Sequence, residues 1–411
     1  MKPKRLSLCV LSLLLALATL FPLASCGPRS AGTPTETAAV TTAATTEAPQ
    51  KYTIRLRELG ESVSIHTDPQ TAYLANADPH SILTYANATA EASRPEPIRL
   101  RWAISESAAG HVRLYVVRIW TKPDRSDVTE ATVAGSKTEY AFYNAMLGTT
   151  YYWNVSLRDD EDDISTSGTS SFTTESQGPR NLYVDGVTNV RDLGGWATVD
   201  GGRIRQGLLY RGGRFSSNES TSVTISAKGI LTLRDEIGIK TEIDLRQTTA
   251  VNNRNESGGL TASPLGDSVR YCAFPMEYGE VLFSDPKNIQ RIREIFAFLS
   301  DESNYPIYFH CSIGTDRTGL IAWLVNGLCG VSENDLWRDY LFSDFGQIES
   351  NPANARTRAK NENIYVNQLK NYAQGDTLAE KIYNYLKNEI GVAETDLQAV
   401  IRIMKETPNA N

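Results

Sequence analysis

The stretch His310-Cys311-Ser312-Ile313-Gly314-Thr315-Asp316-Arg317-Thr318-Gly319 constrains this chain more than any other. It follows the apolar run Ile307-Tyr308-Phe309 and precedes Leu320-Ile321-Ala322-Trp323-Leu324-Val325, so the predicted order is strand, loop, helix. A loop so placed aims successive backbone N–H groups and a helix N-terminus at one point, which seats a phosphate dianion. Cys311 opens the loop and Arg317 closes it. A thiol beside a helix N-terminus and a guanidinium has a lowered pKa, and the thiolate is the form that attacks. The planar fork of Arg317 can hold two phosphate oxygens as charge shifts during transfer.

Other chemistries on the same residues fit less well. A Walker-type nucleotide loop needs Gly-Lys-Ser/Thr after its spacer, and the lysine is absent. A Cys-His protease needs a histidine folded back onto the cysteine, yet His66, His80 and His111 lie far N-terminal in what reads as a separate domain. His310, adjacent in an extended segment, points to the face opposite Cys311 and is expected to hydrogen-bond backbone behind the loop. With 4 histidines in the chain, no metal-ligand cluster is expected and no cofactor is required.

The loop resembles the Cys-x5-Arg signature of the cysteine-dependent phosphatases. It is most similar to the His-Cys-x-x-Gly-Lys-Asp-Arg-Thr-Gly loop of the atypical secreted bacterial tyrosine phosphatases, some of which also accept phosphoserine, phosphothreonine or phosphoinositides. The resemblance implies Cys311 as nucleophile, Arg317 as transition-state clamp, and Ser312, Ile313, Gly314, Thr315, Asp316, Arg317 and Thr318 as the phosphate seat. It also implies a hydrogen bond from Thr318 to the sulfur, with Asp316 as the favoured acid for the leaving oxygen. Thr315 stands where that subgroup carries lysine, which argues against polyphosphorylated lipid substrates. A phosphoinositide or inositol-phosphate phosphatase remains the alternative within the class. A surface adhesion lipoprotein with an inactive phosphatase fold is the alternative outside it, and intact Cys311 and Arg317 speak against that reading.

The 411 residues suit two or three domains, and 41 Lys and Arg against 48 Asp and Glu leave a net charge of -7, which gives no footing for nucleic acid. Lys2, Lys4 and Arg5 precede an apolar run from Leu6 to about Ala24, the pattern of a secretory signal. Its ending, Leu23-Ala24-Ser25-Cys26-Gly27, resembles a lipobox, which implies residues 1–25 as signal peptide and lipidation of Cys26. A retained membrane helix is the other reading. Either would tether the protein outside the cytoplasm. Residues 26–51, rich in Thr, Ala and Pro, cannot bury enough apolar surface to fold and are expected to be a disordered tether.

Residues 52–177 change to short alternating segments, Ile98–Trp102, Leu114–Trp120 and Tyr152–Leu157, which predict an antiparallel β-sandwich. Leu147-Gly148-Thr149-Thr150-Tyr151 resembles the tyrosine corner of fibronectin type III domains, with Trp102 as the early core tryptophan and Ser170–Thr174 as the last strand. A spacer or a binding module for an unknown ligand is expected here.

Residues 178–411 read as an α/β catalytic domain. Asp200-Gly201-Gly202 predicts a hairpin turn. Arg191 and Asp192 lie in an Asn-x-Arg-Asp-Leu-Gly-Gly segment that also resembles the phosphatase family; contact with substrate is one reading, and a salt link that fixes a turn is the favoured one. The Tyr210-Arg211 pair that follows that segment and the stretch Asp339–Asp344 resemble the family as well. Ile239–Ile243 reads as a strand delivering Asp244 to the carboxyl edge of a parallel sheet, where ligands sit. Asp244 is therefore either a second candidate acid or an anchor for Arg246 and its own loop. Cys272 or Cys329 is a candidate partner that could trap Cys311 in a reversible disulfide.

The lipid-anchor expectation has a direct test. Cys26→Ala should release the protein from membranes or leave an unprocessed precursor, as read by fractionation and mass; a variant processed and membrane-bound like wild type removes the anchor.

Overall fold

Alternation of buried and exposed side chains builds the N-terminal half. The structure, a computed structural model, describes residues 52–86, 90–105, 114–159, 162–217, 222–247, 259–277, 283–348, 351–352 and 366–406. Cys26, the apolar run, the tether and His111 lie outside the described residues. No helix among the described residues is long and apolar enough to cross a membrane.

Strands β1 (Ile54–Leu56), β3 (Ile98–Ile104) and β6 (Glu139–Phe142) form one sheet in the order β1-β3-β6. In β3 the side chains of Ile98, Leu100 and Trp102 face inward, while Arg99 and Arg101 face out to Glu139 on β6. The second sheet runs β2-β9-β7-β4-β5, from β2 (Ser62–Val63), β4 (Leu114–Trp120), β5 (Thr129–Ala134), β7 (Thr150–Asp159) and β9 (Ser170–Thr174), and β8 (Asp162–Thr166) pairs with β7. One core joins the two sheets: Leu100 and Trp102 from the first meet Tyr115, Val117, Trp153, Val155 and Phe172 from the second. Tyr151 stacks on Phe172 at 5.5 Å, and its hydroxyl accepts the Met146 N–H at 2.8 Å. That bond falls in the segment whose sequence resembles a tyrosine corner.

The second half is a six-stranded sheet in the order β10-β11-β13-β16-β14-β15. Its strands are β10 (Arg180–Asn181), β11 (Arg191–Asp192), β13 (Leu209–Gly212), β14 (Thr241–Asp244), β15 (Arg270–Ala273) and β16 (Ile307–His310). The short β12 (Arg203–Ile204) pairs instead with Lys405–Glu406 near the end of the described chain. Strands β13, β16, β14 and β15 are parallel, and the register places Gly212, His310, Asp244 and Ala273 at one level. Every residue of β16 is buried, as a continuous apolar run in a parallel sheet requires.

Helix α2 (Ala227–Leu231), continued by a wide π turn, leads into Gly238 and β14. Helix α3 (Pro286–Leu299) buries Ile292, Ile295, Phe296 and Leu299 at helical spacing. Helix α4 (Asp316–Leu328), directly after the loop, is buried on all sides. Helices α5 (Glu333–Leu341) and α6 (Leu378–Tyr385) pack against it, and α7 (Glu394–Met404) packs against α3, with Gly391 in the left-handed region between α6 and α7. The expected hairpin is present, with Gly201 at φ 86° and the Thr198 N–H donating to the Gly202 carbonyl.

The sequence places a domain boundary at residues 177 and 178, but the packing crosses it. The segment between β2 and β3 carries helix α1 (Asp68–Ala75) and leaves the two small sheets for the catalytic half. Tyr73 and Ile82 join the same core as Phe342 and Trp337, and the His80 ring lies 5.0 Å from that of Trp337. His66 meets the Pro179 carbonyl at 2.8 Å. These histidines therefore do not belong to a separate body, contrary to the reading of the sequence; residues Pro49–Asn411 form one compact unit. Alternation showed strands, whereas this long crossover carries no period that says where it lies.

Tyr151→Phe should strand the Met146 N–H and lower stability by about 1–3 kcal/mol, seen as a lower urea midpoint. An unchanged midpoint would mean that the corner bond contributes nothing.

Candidate functional site: a phosphate loop around Cys311

The loop starts where β16 ends. Each carbonyl from Cys311 to Thr315 is taken by a donor outside the centre of the loop. The Cys311 carbonyl meets His310 Nδ1 at 2.9 Å, and Ser312 accepts from Arg214 Nη1 at 3.1 Å. Ile313 accepts from Asn189 Nδ2 at 3.1 Å and Gly314 from Arg211 Nη2 at 2.8 Å. The Thr315 carbonyl accepts from the Gly319 N–H at 2.7 Å, the first turn of α4. In a trans peptide the N–H points opposite to the C=O, so the amides that follow these carbonyls turn toward the centre. Gly314 completes the curve at φ 76°, and a Cβ there would run into the Gly212 carbonyl. Only glycine fits that crossing.

Cys311 sits at the base of this seat, 2 % exposed. Burial alone would raise its thiol, but Arg317 and the Thr318 hydroxyl and N–H outweigh it and hold Cys311 below the ordinary thiol value. Arg317, 3 % exposed, donates through Nη1 to the carbonyls of Leu245 and Met276 at 3.3 Å each. Those carbonyls follow β14 and β15, so the same sheet edge that presents Cys311 also positions the guanidinium. Asp316, at the first position of α4, is 8 % exposed.

A buried ionic frame holds the donors. Asp339 on α5 takes Arg191 at 2.8 Å and also pairs with Arg211. Burial opposes its charge, but the two guanidinium groups outweigh that and hold Asp339 below the usual carboxylate range. Arg191 also donates to Asn189 Oδ1 at 2.6 Å, which orients the amide toward Ile313. Asp192 pairs with Arg180 at 3.0 Å and accepts the N–H groups of Gly194 and Gly207. Asp192 is thus a turn-fixing group, as the sequence suggested, whereas Arg191 reaches across to α5.

The structure gathers Ser312, Ile313, Gly314, Thr315, Asp316, Arg317 and Thr318 around Cys311. It sets Asp244 apart. Asp244 is fully buried, with Arg246 at 2.7 Å and the Tyr271 hydroxyl at 3.0 Å on its carboxylate, which also accepts the Arg246 N–H. Burial would favour its neutral form, but His310 and Arg246 outweigh it and hold Asp244 below the usual carboxylate range. A buried carboxylate tied to Arg246 and Tyr271 is an anchor for its own loop, so the geometry supports that role for Asp244 and not the role of acid. His310 bonds Cys311 backbone, as expected, and its other ring nitrogen meets Glu242 at 2.9 Å. Glu242, Asp244 and His310 bring ligand-type atoms within 4.8 Å of one another, but Arg246 already pairs with Asp244 in this buried cluster. Through the bonds of His310 to Cys311 and Glu242, the cluster supports the base of the loop.

The disulfide expectation is overturned. Cys272 pairs in register with Ile243, and Ile243 with Phe309, so β14 separates it from the catalytic strand. Two strand spacings are about 10 Å, beyond the roughly 7 Å limit for bridged Cα atoms. Cys329 caps the far end of α4, about 20 Å along the helix axis. Thr315 is fully buried. Sequence reading missed Asn189, Arg211, Arg214 and Asp339 as supports; their only signal was that Asn189, Arg211 and Asp339 each fall in a segment resembling the phosphatases.

A thiol of lowered pKa at the floor of a ring of amides, closed by an arginine and a helix N-terminus, defines a cysteine-dependent phosphatase. The comparisons narrow the class. Residues 182–407 match the model of the Tyrosine phosphatase family, more than half of the chain, and the chain belongs to that family. It is 29 % identical over 203 residues to a Cupriavidus necator protein named "Putative tyrosine-protein phosphatase", the match covering 44 % of this chain and 66 % of that protein. Among solved structures it is similar to the core catalytic domain of the PP-IP phosphatase SIW14 from S. cerevisiae in complex with citrate, at 14 % identity and a TM-score of 0.25, covering 41 % of this chain and 93 % of that one.

The lowered thiol has a pH signature. Alkylation of Cys311 by iodoacetamide should rise with pH through a midpoint below the ordinary thiol value of about 8.5, and Thr318→Ala should move that midpoint upward. A midpoint at or above the ordinary value would contradict the assigned electrostatics.

Proposed function

We propose that this protein hydrolyses phosphomonoesters outside the cytoplasm through a cysteinyl-phosphate intermediate, with phosphotyrosine in proteins as its main substrate class. The observation that carries the reading is the loop itself, in which outward-held carbonyls leave the amides aimed at one point above a thiol of lowered pKa. The Cys311 sulfur attacks phosphorus in line while the bond to the leaving oxygen breaks. Arg317 and the loop amides hold the equatorial oxygens, where most of the stabilisation must arise because the protein has little other covalent work to do. Asp316 gives its proton to the leaving oxygen. Its carboxylate then takes a proton from water, whose oxygen attacks phosphorus and releases inorganic phosphate and the thiolate.

Asp316 fits this role better than Asp244 because it lies on the loop itself and Asp244 is committed to Arg246 and Tyr271. Thr315, buried and uncharged, adds no cation for a second phosphate, which favours phosphotyrosine and aryl monoesters over polyphosphoinositides. The name of the Cupriavidus necator relative supports the same choice. The strand order of the two N-terminal sheets, with the corner bond of Tyr151, supports a fibronectin type III-like sandwich. The signal-like N-terminus and Cys26 support anchorage as an extracytoplasmic lipoprotein.

Cys311→Ser should abolish hydrolysis of a chromogenic aryl phosphate. Asp316→Asn should lose about 10²–10⁴-fold on alkyl phosphates but far less on the aryl ester, whose leaving group needs no proton. Equal losses on both substrates would remove Asp316 as the acid, and full activity in Cys311→Ser would remove the mechanism.

A further inference from the structure

The crossover between β2 and β3 ends in a contact that reaches the phosphate loop. Glu91 takes the N–H and hydroxyl of Ser93 on one carboxylate oxygen, the N–H at 2.9 Å. Its other oxygen takes the Thr188 hydroxyl and the Gln347 N–H, the latter at 2.9 Å. The buried Ser93 hydroxyl in turn accepts the Asn189 N–H at 2.9 Å. The neighbouring Ala92 N–H donates to the Phe345 carbonyl at 2.7 Å, which fastens the crossover to the chain after α5.

Asn189 is where these contacts matter. Its φ of 59° lies in the left-handed region, one that asparagine tolerates but that must be held by its surroundings. Glu91 and Ser93 grip the peptide on the N-terminal side of that residue, and Arg191 grips its side-chain oxygen. With both ends fixed, Nδ2 is aimed at the Ile313 carbonyl. Thr188 contributes again through its carbonyl, which accepts the Gly213 N–H at 3.0 Å, and Gly314 crosses over the backbone of Gly212 and Gly213.

We propose that Glu91 and Ser93, supplied by the crossover from the N-terminal sheets, are positioning residues of the phosphate loop, acting through Asn189 on the peptide that follows Ile313. The two halves of the chain then form one oxyanion site. This rests on the phosphatase reading for its effect on turnover but not for its effect on oxyanion binding. Loss of the clamp frees Asn189, the Ile313 carbonyl loses its donor, and the next amide no longer points at the phosphate.

The test uses the full chain with Glu91→Ala, Ser93→Ala and the double variant, and tungstate as a non-transferable oxyanion. Both single variants should weaken tungstate binding by calorimetry, and lower kcat on an aryl phosphate, by about tenfold or more, the scale on which misplaced groups are felt. The double variant should lose no more than the worse single one, because both residues act along one chain of bonds. A purely structural role would lower the unfolding midpoint while leaving the tungstate constant of the folded protein within about twofold of wild type, and that result overturns the proposal. If Glu91→Ala fails to fold, Ser93→Ala, which removes one hydroxyl, decides by the same criterion. A wild type that binds no tungstate also overturns it. A wild type that binds tungstate but hydrolyses no phosphomonoester removes the catalytic reading alone.

Discussion

The outward turn of the loop carbonyls is the constraint to which the rest of the site answers. Amides can be aimed at an incoming dianion only if the carbonyl of each preceding peptide has a partner on the other side, because a buried polar group without one costs about 1–3 kcal/mol. The partners come from distant pieces of chain: Asn189, Arg211, Arg214 and His310. Three of these are ionisable and buried, so each requires its own counter-charge or acceptor. Asp339 meets that need for Arg211 and Arg191 together, and Glu242 for His310. The several buried arginines are therefore the outer layer of a phosphate seat, and taking away one carboxylate such as Asp339 would leave two guanidinium groups uncompensated.

Sheet register brings these pieces to one place. Because Gly212, His310, Asp244 and Ala273 end their parallel strands at one level, the loops that follow open on a single edge. Arg211 points at the loop from β13, the Arg317 head rests on carbonyls after β14 and β15, and Arg246 is tied to Asp244 between them. The apolar α4 locks the loop's C-terminal end into the core, so the first-turn bond from Gly319 to Thr315 is shielded from water.

Legibility from sequence followed the range of the interactions. Local patterns could be read directly: the strand, loop and helix around Cys311 and the Gly201 turn depend on residues close in the chain. The His310 bond to Cys311 backbone was legible for the same reason. Partners far apart were not. Nothing near Asp244 says that Tyr271 will cap it, and a carboxylate at a strand end reads alike whether it anchors or catalyses. The crossover carrying Glu91 read as part of the sandwich because its neighbours in sequence are sandwich strands. Cys272 looked available to Cys311 only until the register put β14 between them.

The central claim is that Cys311 becomes phosphorylated in a seat built from these distant pieces. Rapid acid quench of full-length protein turning over an aryl phosphate carrying radiolabelled phosphorus tests it directly. The account predicts a transient label with the lability of a phosphothioester, mapped by mass spectrometry to the peptide bearing Cys311 and absent from Cys311→Ser. Steady turnover with no label on the protein, or label on another residue in an active Cys311→Ser variant, would contradict it.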